Sequence, residues 1–203
     1  MKREEFEAAK TALHDVLERI RESAHRLHES VGQHYDGDKP YSFHLDMVAQ
    51  GVSDYGYVVC QDREDILPIF YGAWYHDSIE DARLTYNAVK RTARSFMNGK
   101  QALMATEIVY ALTNEKGRTR AERANERYYQ GIRLTPYAPF VKLCDRMANI
   151  SYSYSNTDRV NIHMRRVYAK ELPHFLEAIR TETDDPRMGL PEEMIQQITY
   201  IIK

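Results

Sequence analysis

Cysteine, glycine and long apolar runs are scarce in this chain of 203 residues. The two cysteines, Cys60 and Cys144, lie in apolar surroundings without CxxC spacing, which favours buried free thiols in a reducing compartment. No apolar stretch approaches the length of a membrane-spanning helix, and no signal-peptide core follows the first residues. The net charge of -2 argues against a general nucleic-acid or membrane surface. We therefore expect a cytoplasmic protein with neither nucleic-acid nor membrane partners.

Linker signals are also missing, because the chain has no Pro- or Ser-rich run, no low-complexity tract and no internal repeat. Its length suits one well-buried domain and leaves little room for two. Apolar residues recur at helical spacing, and the best strand candidate, Gly56–Cys60, competes with a helix end. We therefore predict an all-α fold: one helical bundle over residues 1–203, with its core over about 24–152 and C-terminal helices over 158–203 packed on it.

Helix boundaries are predicted from apolar periodicity and from capping residues. A long first helix carries apolar residues from Ala9 to Leu27 and ends near Val31–Gly32. Asp62 is the predicted cap of a helix that carries the apolar run up to residue 75, and Thr85 is the predicted cap of the next. Further helices are predicted over residues 40–48, 102–112, 119–132, 140–150, 158–179 and 191–202.

The most informative stretch is His76 to Asp81, which follows an apolar run directly. It carries four side chains that can bind a metal or transfer a proton: His76, Asp77, Glu80 and Asp81. On a helix, residues four apart lie one turn from each other, so two acid-bearing rows would run side by side. A solvated charge run is the alternative interpretation, but polar groups placed against a core are costly without a compensating partner.

Four ligand-type side chains lie inside apolar helical patterns, namely His44, His76, Asp77 and Asp145. Taken singly, each histidine could be a core residue with its hydrogen bonds satisfied, and Asp145 could pair with Arg146 or Lys142. Two imidazoles and two carboxylates together form a mixed nitrogen and oxygen set that suits Mn²⁺, Fe²⁺, Zn²⁺ or Co²⁺ better than Ca²⁺.

Four segments, in this order, resemble the motifs of HD-domain metal-dependent phosphohydrolases. The likeness is to the hydrolase domain of the Rel/SpoT family and to the stand-alone small alarmone hydrolases, and it extends from about residue 24 to 152. Gly37–His44 resembles Gly-x-Pro-Tyr-x-x-His with one extra residue, and Ala73–Asp81 resembles Leu-His-Asp-x-x-Glu-Asp. Ala111–Lys116 is similar to Val-Thr-Asp-Asp-Lys, and Val141–Asn149 to Val-Lys-Leu-Ala-Asp-Arg-Leu-x-Asn.

The resemblance implies an HD-type helical bundle that removes the 3′-pyrophosphate of (p)ppGpp, a small-molecule nucleotide. It implies a divalent metal, typically Mn²⁺, and a set of four ligands: His44, His76, Asp77 and Asp145. Glu80 and Asp81 would orient or deprotonate the attacking water, and we expect Glu80 to be the main proton shuttle with Asp81 as its partner. Asn149 would contact the nucleotide sugar or phosphate. The chain has no room for the synthetase domain of full-length Rel/SpoT proteins.

One departure concerns the substrate. The family's Arg-Lys-Ser, which helps to hold the guanine nucleotide, is replaced here by residues 33–36, which are Gln-His-Tyr-Asp. The chemistry therefore carries over better than the identity of the nucleotide. A general HD-domain phosphatase or nucleotidase acting on other nucleotides is the alternative function. A non-catalytic nucleotide-sensing module is a third.

Candidates for substrate binding are cationic or aromatic. Lys116, Lys142 and Arg146 are expected to contact phosphate. A helix over 119–132 adds further arginines, although its alternating Arg and Glu also suit a solvated face. Several of the fifteen tyrosines could stack on a base, or pack in the core or in a homodimer: Tyr71, Tyr75, Tyr128, Tyr129, Tyr137, Tyr152 and Tyr154. The histidines of the first helix, at positions 14, 25 and 28, are expected at the surface.

Overall fold

The computed structural model describes residues 1–203 and confirms the all-α prediction. Eleven α-helices are joined by short connections, two 3₁₀ turns (Arg63–Asp65 and Pro186–Met188) and one small antiparallel hairpin. The elements in chain order are α1 Arg3–Ala12, α2 His14–Ser30, β1 His34–Tyr35, β2 Lys39–Pro40, α3 Ser42–Val59, α4 Ile66–Tyr75, α5 Tyr86–Ala93, α6 Gly99–Leu112, α7 Arg120–Arg123, α8 Glu126–Leu134, α9 Ala138–Ser155, α10 Arg159–Ile179 and α11 Glu192–Ile202.

Side-chain caps begin several of these helices where the sequence predicts a start. The Thr85 hydroxyl accepts a hydrogen bond from the Ala88 N–H at the start of α5. Asp158 accepts bonds from two N–H groups in the first turn of α10. Asp62 instead precedes a 3₁₀ turn, where the Asp65 carboxylate accepts the Asp62 N–H at 3.3 Å before α4 begins. Each cap satisfies donors that the helix leaves without partners.

The prediction of one long first helix is wrong, because the chain breaks at Leu13 between α1 and α2. Both helices run along α3: Phe6 of α1 packs, fully buried, on Gly56, and Arg21 of α2 pairs with Asp46. A Cβ at Gly56 would lie only 2.7 Å from the Phe6 ring, so this contact depends on the glycine. Long-range packing therefore overrides the local helical periodicity.

Two further predictions need correction. The charged helix predicted over 119–132 is divided at Ala124 into α7 and α8, and Asn125 begins α8 by accepting the Tyr128 N–H. The strand candidate Gly56–Cys60 is the end of α3, which continues to Val59. In both places the local capping and hydrogen bonding, rather than composition, decide the structure.

One cluster of 46 buried side chains, from Phe6 to Ile198, forms the core. Helix α9 packs against α3, α10 and α11, and α4 packs between α3 and α6. Gly51 of α3 lies against Cys144 of α9, which brings these two helices close together. Both cysteines are buried free thiols, as predicted. None of the helices combines the length and apolarity that crossing a membrane requires.

Candidate functional site: a buried His/His/Asp group at the floor of a cleft

Three core elements each bring one ligand-type side chain to the same point. His44 lies in the first turn of α3, His76 directly follows α4, and Asp145 lies in the middle of α9. The two Nε2 atoms of His44 and His76 are 3.3 Å apart, and Asp145 Oδ1 lies 3.4 Å from the first and 3.8 Å from the second. Both histidines are only 2% exposed. These ligand atoms all lie within 4.8 Å of one another, so the group could hold a metal ion.

Asp77, the fourth predicted ligand, lies beside this group. Its Oδ2 is 2.8 Å from His76 Nε2 and 3.9 Å from His44 Nε2. The Tyr41 hydroxyl donates a hydrogen bond to the same oxygen. His76 Nδ1 lies 2.8 Å from the Ala73 carbonyl oxygen and donates to it, which turns Nε2 toward the carboxylates. Two ring nitrogens aimed at carboxylate oxygens form a mixed donor set that fits a divalent cation.

The charges of the group compensate one another in the structure. Burial by itself would lower the pKa of His76, but the adjacent Asp77 outweighs it and raises this pKa to about 9. Burial by itself would raise the pKa of both acids. His76 nevertheless lowers the pKa of Asp77, and Lys142 together with the imidazoles lowers the pKa of Asp145 well below its usual range. Both acids are therefore ionised and able to bind a cation, which would take the place of the His76 proton.

The acid pair Glu80 and Asp81 follows the last turn of α4. The sequence suggests that this pair lies on a regular helix, and the structure does not place it on one. Helix α4 ends at Tyr75, and residues 76–82 form successive turns. The Asp81 N–H still donates to the Asp77 carbonyl at 2.8 Å, so the spacing of one turn is kept. The Asn114 side-chain amide donates to both Glu80 oxygens, at 3.0 and 2.9 Å. Partial burial at the cleft wall, followed by the charge of Asp77, raises the pKa of Asp81.

A cavity of about 760 Å³ opens above the group and includes three of the four predicted substrate-binding residues, Asn149, Lys142 and Arg146, in its wall. Lys142 Nζ lies 2.9 Å from Asp145 Oδ2, and Asn149 Nδ2 lies 2.6 Å from Asp145 Oδ1, so both support the buried carboxylate. The structure does not bring the fourth residue, Lys116, into this wall; its side chain is exposed on the connection before α7.

The cavity wall also includes cationic and aromatic side chains. Glu171 of α10 accepts hydrogen bonds from Arg120 of α7 and from Arg146, and it holds both guanidinium groups at the wall. The Arg146 guanidinium lies over two rings, 5.1 Å from the Tyr168 centroid and 4.4 Å from that of Phe175. The cavity wall therefore combines carboxylates with two arginines that Glu171 holds in place.

The tyrosines divide between the cavity and the core. Tyr128 and Tyr129 line the cavity, as do Tyr41 and Tyr168, which the sequence does not single out. The others fill the interior or support the hairpin: Tyr71, Tyr75 and Tyr137 are almost fully buried, and Tyr152 donates to Asp36. Most of the predicted base-stacking set is therefore packing.

Three contacts of the segment between α2 and α3 are absent from the sequence prediction. Gln33 donates to Asp81 Oδ2 at 2.6 Å, and Tyr35 donates to Asn149 at 3.1 Å. The Tyr35 ring also stacks on the His44 imidazole at 4.9 Å. The prediction that His28 lies at the surface is wrong, because its side chain is completely buried. Its spacing of four residues from the buried Ala24 on α2 is the sequence signal that indicates this.

No protein-family model matches this chain, and no curated protein matches it significantly. The fold and the site define an all-α bundle with a buried His44–His76–Asp145 group that could hold a metal ion. Any more specific function is inferred from the residues of the cleft and from the motif resemblance.

Proposed function

We propose that this chain is a metal-dependent phosphohydrolase of the HD type that acts on a nucleotide, with the 3′-pyrophosphate of a ppGpp-type nucleotide as its scissile group. The observation that carries the proposal is the meeting of His44, His76, Asp77 and Asp145, of which the two carboxylates also line the cleft. Glu80 and Asp81 lie at the wall of the same cleft. A structural role alone would not require these four carboxylates in the wall of one cavity with two buried imidazoles beside them.

The four ligand-type side chains would hold the cation, for which Mn²⁺ is the first candidate and Fe²⁺, Zn²⁺ and Co²⁺ are others. When bound, a divalent cation there supplies Lewis-acid activation of water and neutralises phosphate charge. Partial burial and the charge of Asp77 raise the pKa of Asp81, which favours a role for this side chain in proton exchange. Glu80, held by Asn114, would accept the proton of the attacking water, while a proton already on Asp81 would go to the leaving oxygen. Proton exchange with solvent would then return both carboxyl groups to their starting forms. This assignment keeps the roles proposed from the sequence, with Glu80 as the main proton shuttle and Asp81 as its partner.

The remainder of the cleft fits a nucleotide in size and chemistry. Its volume of about 760 Å³ lies within the usual range for small-molecule sites. Arg146 and Arg120 line the cleft and offer N–H donors to an anionic group. Tyr128 and Tyr168 contribute ring surface to the same cleft.

A general HD phosphatase or nucleotidase is the second candidate, and one observation favours it. Gln33 and Tyr35 stand where the family's Arg-Lys-Ser would be, and both are bound to residues of the site, Asp81 and Asn149. Neither side chain is cationic, so neither can hold a guanine nucleotide as the family's Arg and Lys do. The identity of the base is therefore less constrained than the chemistry.

The test is a substrate panel on protein purified without added metal, with metal analysis of the same sample. Supplied with Mn²⁺, the protein should release pyrophosphate from ppGpp or ppApp. Release of orthophosphate from nucleoside monophosphates would support the general phosphatase instead. Absence of hydrolysis with every substrate and metal would contradict both and favour a nucleotide-sensing module.

Substitution of the acid pair tests the assigned roles. Glu80→Gln and Asp81→Asn should each lower kcat by about 100-fold to 10,000-fold, because a proton-transferring group is lost. Metal content should stay at the wild-type level, since neither side chain is a proposed ligand. Asp54→Asn is a matched control, because Asp54 is an exposed acid on α3 that pairs with Gln50. Full turnover in Glu80→Gln and Asp81→Asn would rule out the roles.

A further inference from the structure

Gln33 lies between α2 and the hairpin, and its side-chain amide joins a buried histidine to a proposed catalytic acid. We propose that Gln33, oriented by His28, is a positioning residue for Asp81. This inference rests on the proposed function, because it assigns a role in the same reaction. It concerns a residue that is neither a ligand of the metal nor a contact of the substrate.

The hydrogen bonds fix the orientation of the Gln33 amide. Gln33 Nε2 lies 2.6 Å from Asp81 Oδ2, and Gln33 Oε1 lies against His28 Nδ1. The amide NH₂ faces Asp81 Oδ2 and donates to it, and this oxygen can accept the bond whether or not Oδ1 carries a proton. The amide oxygen then faces His28, whose Nδ1 has to carry the hydrogen. Rotating the amide by half a turn would break both bonds, so His28 selects the orientation that serves Asp81.

His28 is itself held rigidly. Its side chain is 0% exposed, and its ring stacks on Tyr41 at 4.9 Å with an interplanar angle of 19°. Its Nε2 is buried without a hydrogen-bond partner, which agrees with a neutral ring whose only hydrogen is on Nδ1. Burial lowers the pKa of His28 and favours the same neutral form. Tyr41 in turn donates to Asp77. The stacked rings of His28 and Tyr41 therefore support Asp81, through Gln33, and Asp77 directly.

Gln33 donates to Oδ2 of Asp81 and not to Oδ1, and Asp81 lines the cleft. An acid that follows a helix end, in a run of turns, has more freedom to rotate than one in a regular helix. A hydrogen bond to one oxygen holds the other in a single direction, as outer-shell partners do for ligands in metal sites. Loss of Gln33 should therefore affect the chemical step, with little effect on metal or substrate affinity.

The primary experiment compares Gln33→Met with Gln50→Met. Gln50 also donates to an aspartate, Asp54 Oδ1 at 2.7 Å, but on the exposed face of α3. Gln33→Met should lower kcat by about 10-fold to 100-fold while KM and the dissociation constant for Mn²⁺ stay near wild type. Gln50→Met should leave all three unchanged. Gln33→Leu, a second uncharged variant with no hydrogen to donate, should behave like Gln33→Met and keeps the test available if the methionine variant folds poorly.

A double-mutant cycle with Asp81→Asn shows whether Gln33 acts through Asp81. If it does, Gln33→Met should have little further effect on kcat in the Asp81→Asn background, because the group it positions is already lost. The same loss of kcat in both backgrounds would overturn the proposal. So would a fall in Mn²⁺ affinity that accounts for the whole loss, since that would indicate general damage to the site.

A readout without substrate separates this inference from the proposed function. The Gln33 side-chain amide resonances, identified by their disappearance in Gln33→Met, should shift in Asp81→Asn but not in Asp54→Asn. No shift would overturn the contact itself. If the wild-type protein hydrolyses no phosphoester, the proposed function and the positioning role both fail. If it is active and Gln33→Met retains full kcat, the positioning role fails alone.

Discussion

The closest helix contact beside the site is between α4 and α6, and it depends on Gly72. A Cβ at this position would lie 2.5 Å from Ile108 Cγ2 and 3.3 Å from its Cβ. Ile108 is completely buried, and a β-branched side chain in a helix has essentially one allowed χ1 rotamer. Gly72→Ala therefore forces the two helices apart. Because α4 leads directly to His76, the displacement also reaches the metal-binding group.

The expected cost combines two opposing effects. Overpacking a well-packed core costs about 1–3 kcal/mol, and replacing glycine by alanine within a helix returns up to about 1 kcal/mol. For a chain of this length, each kcal/mol lowers Tm by about 2–4 °C. We expect Gly72→Ala to lose about 1–2 kcal/mol, which is about 2–8 °C in Tm. The dissociation constant for Mn²⁺ should rise as well, because His76 is displaced.

The assay is thermal and urea unfolding with a matched glycine control. Gly131 lies inside α8, and a Cβ there would have nothing within 4 Å, so Gly131→Ala should be neutral or stabilising. In the Gly72→Ala background, Ile108→Leu removes the clashing Cγ2 branch and should recover stability, whereas Ile108→Val keeps that methyl group and should not. Equal stability of Gly72→Ala and Gly131→Ala, or equal rescue by Leu and Val, would refute the steric argument.

Two further predictions concern charge. Mn²⁺ at 100 times its dissociation constant should add about 2.7 kcal/mol of stability and raise Tm by about 5–11 °C, and His76→Ala should abolish the shift; an unchanged wild-type Tm would contradict a metal site. Asp46→Asn should cost about 1–2 kcal/mol at neutral pH, because Asp46 is paired with Arg21, His25 and Trp74. Although partial burial opposes them, His25 and Arg21 lower the pKa of Asp46 in the folded state, so its contribution is complete above its unfolded pKa of about 4 and lost as pH falls through the lower folded value. Urea unfolding should show the difference between wild type and Asp46→Asn narrowing below about pH 4, and a constant difference down to pH 2 would contradict this.

Local signals predict much of the fold because they act within a few residues. Thr85 and Asp158 begin helices because their side-chain oxygens accept N–H groups from the next turn. The break at Leu13 has no comparable local signal, since it follows from Phe6 packing on Gly56, 50 positions away in the sequence. The division of the predicted 119–132 helix does have a local signal, because Asn125 is a favourable N-cap residue inside the charged run.

The site shows the same division between local and long-range information. His44, His76, Asp77 and Asp145 stand out because each is polar within an apolar helical pattern, and the structure brings all four together. Lys116 stands out only for its charge, and the structure leaves it exposed and outside the cavity wall. Charge without an apolar context carries little information about where a side chain points.

The sequence by itself determined the all-α class, most helix starts and the ligand-type side chains, because periodicity, capping and burial costs are written in short stretches. Only the tertiary structure decided what surrounds those side chains. It buried His28, turned Gln33 toward Asp81, and placed Glu171 between two arginines in the cleft wall. These contacts join residues 25 to 51 positions apart, or depend on the side-chain rotamers that packing selects, and no local pattern encodes either.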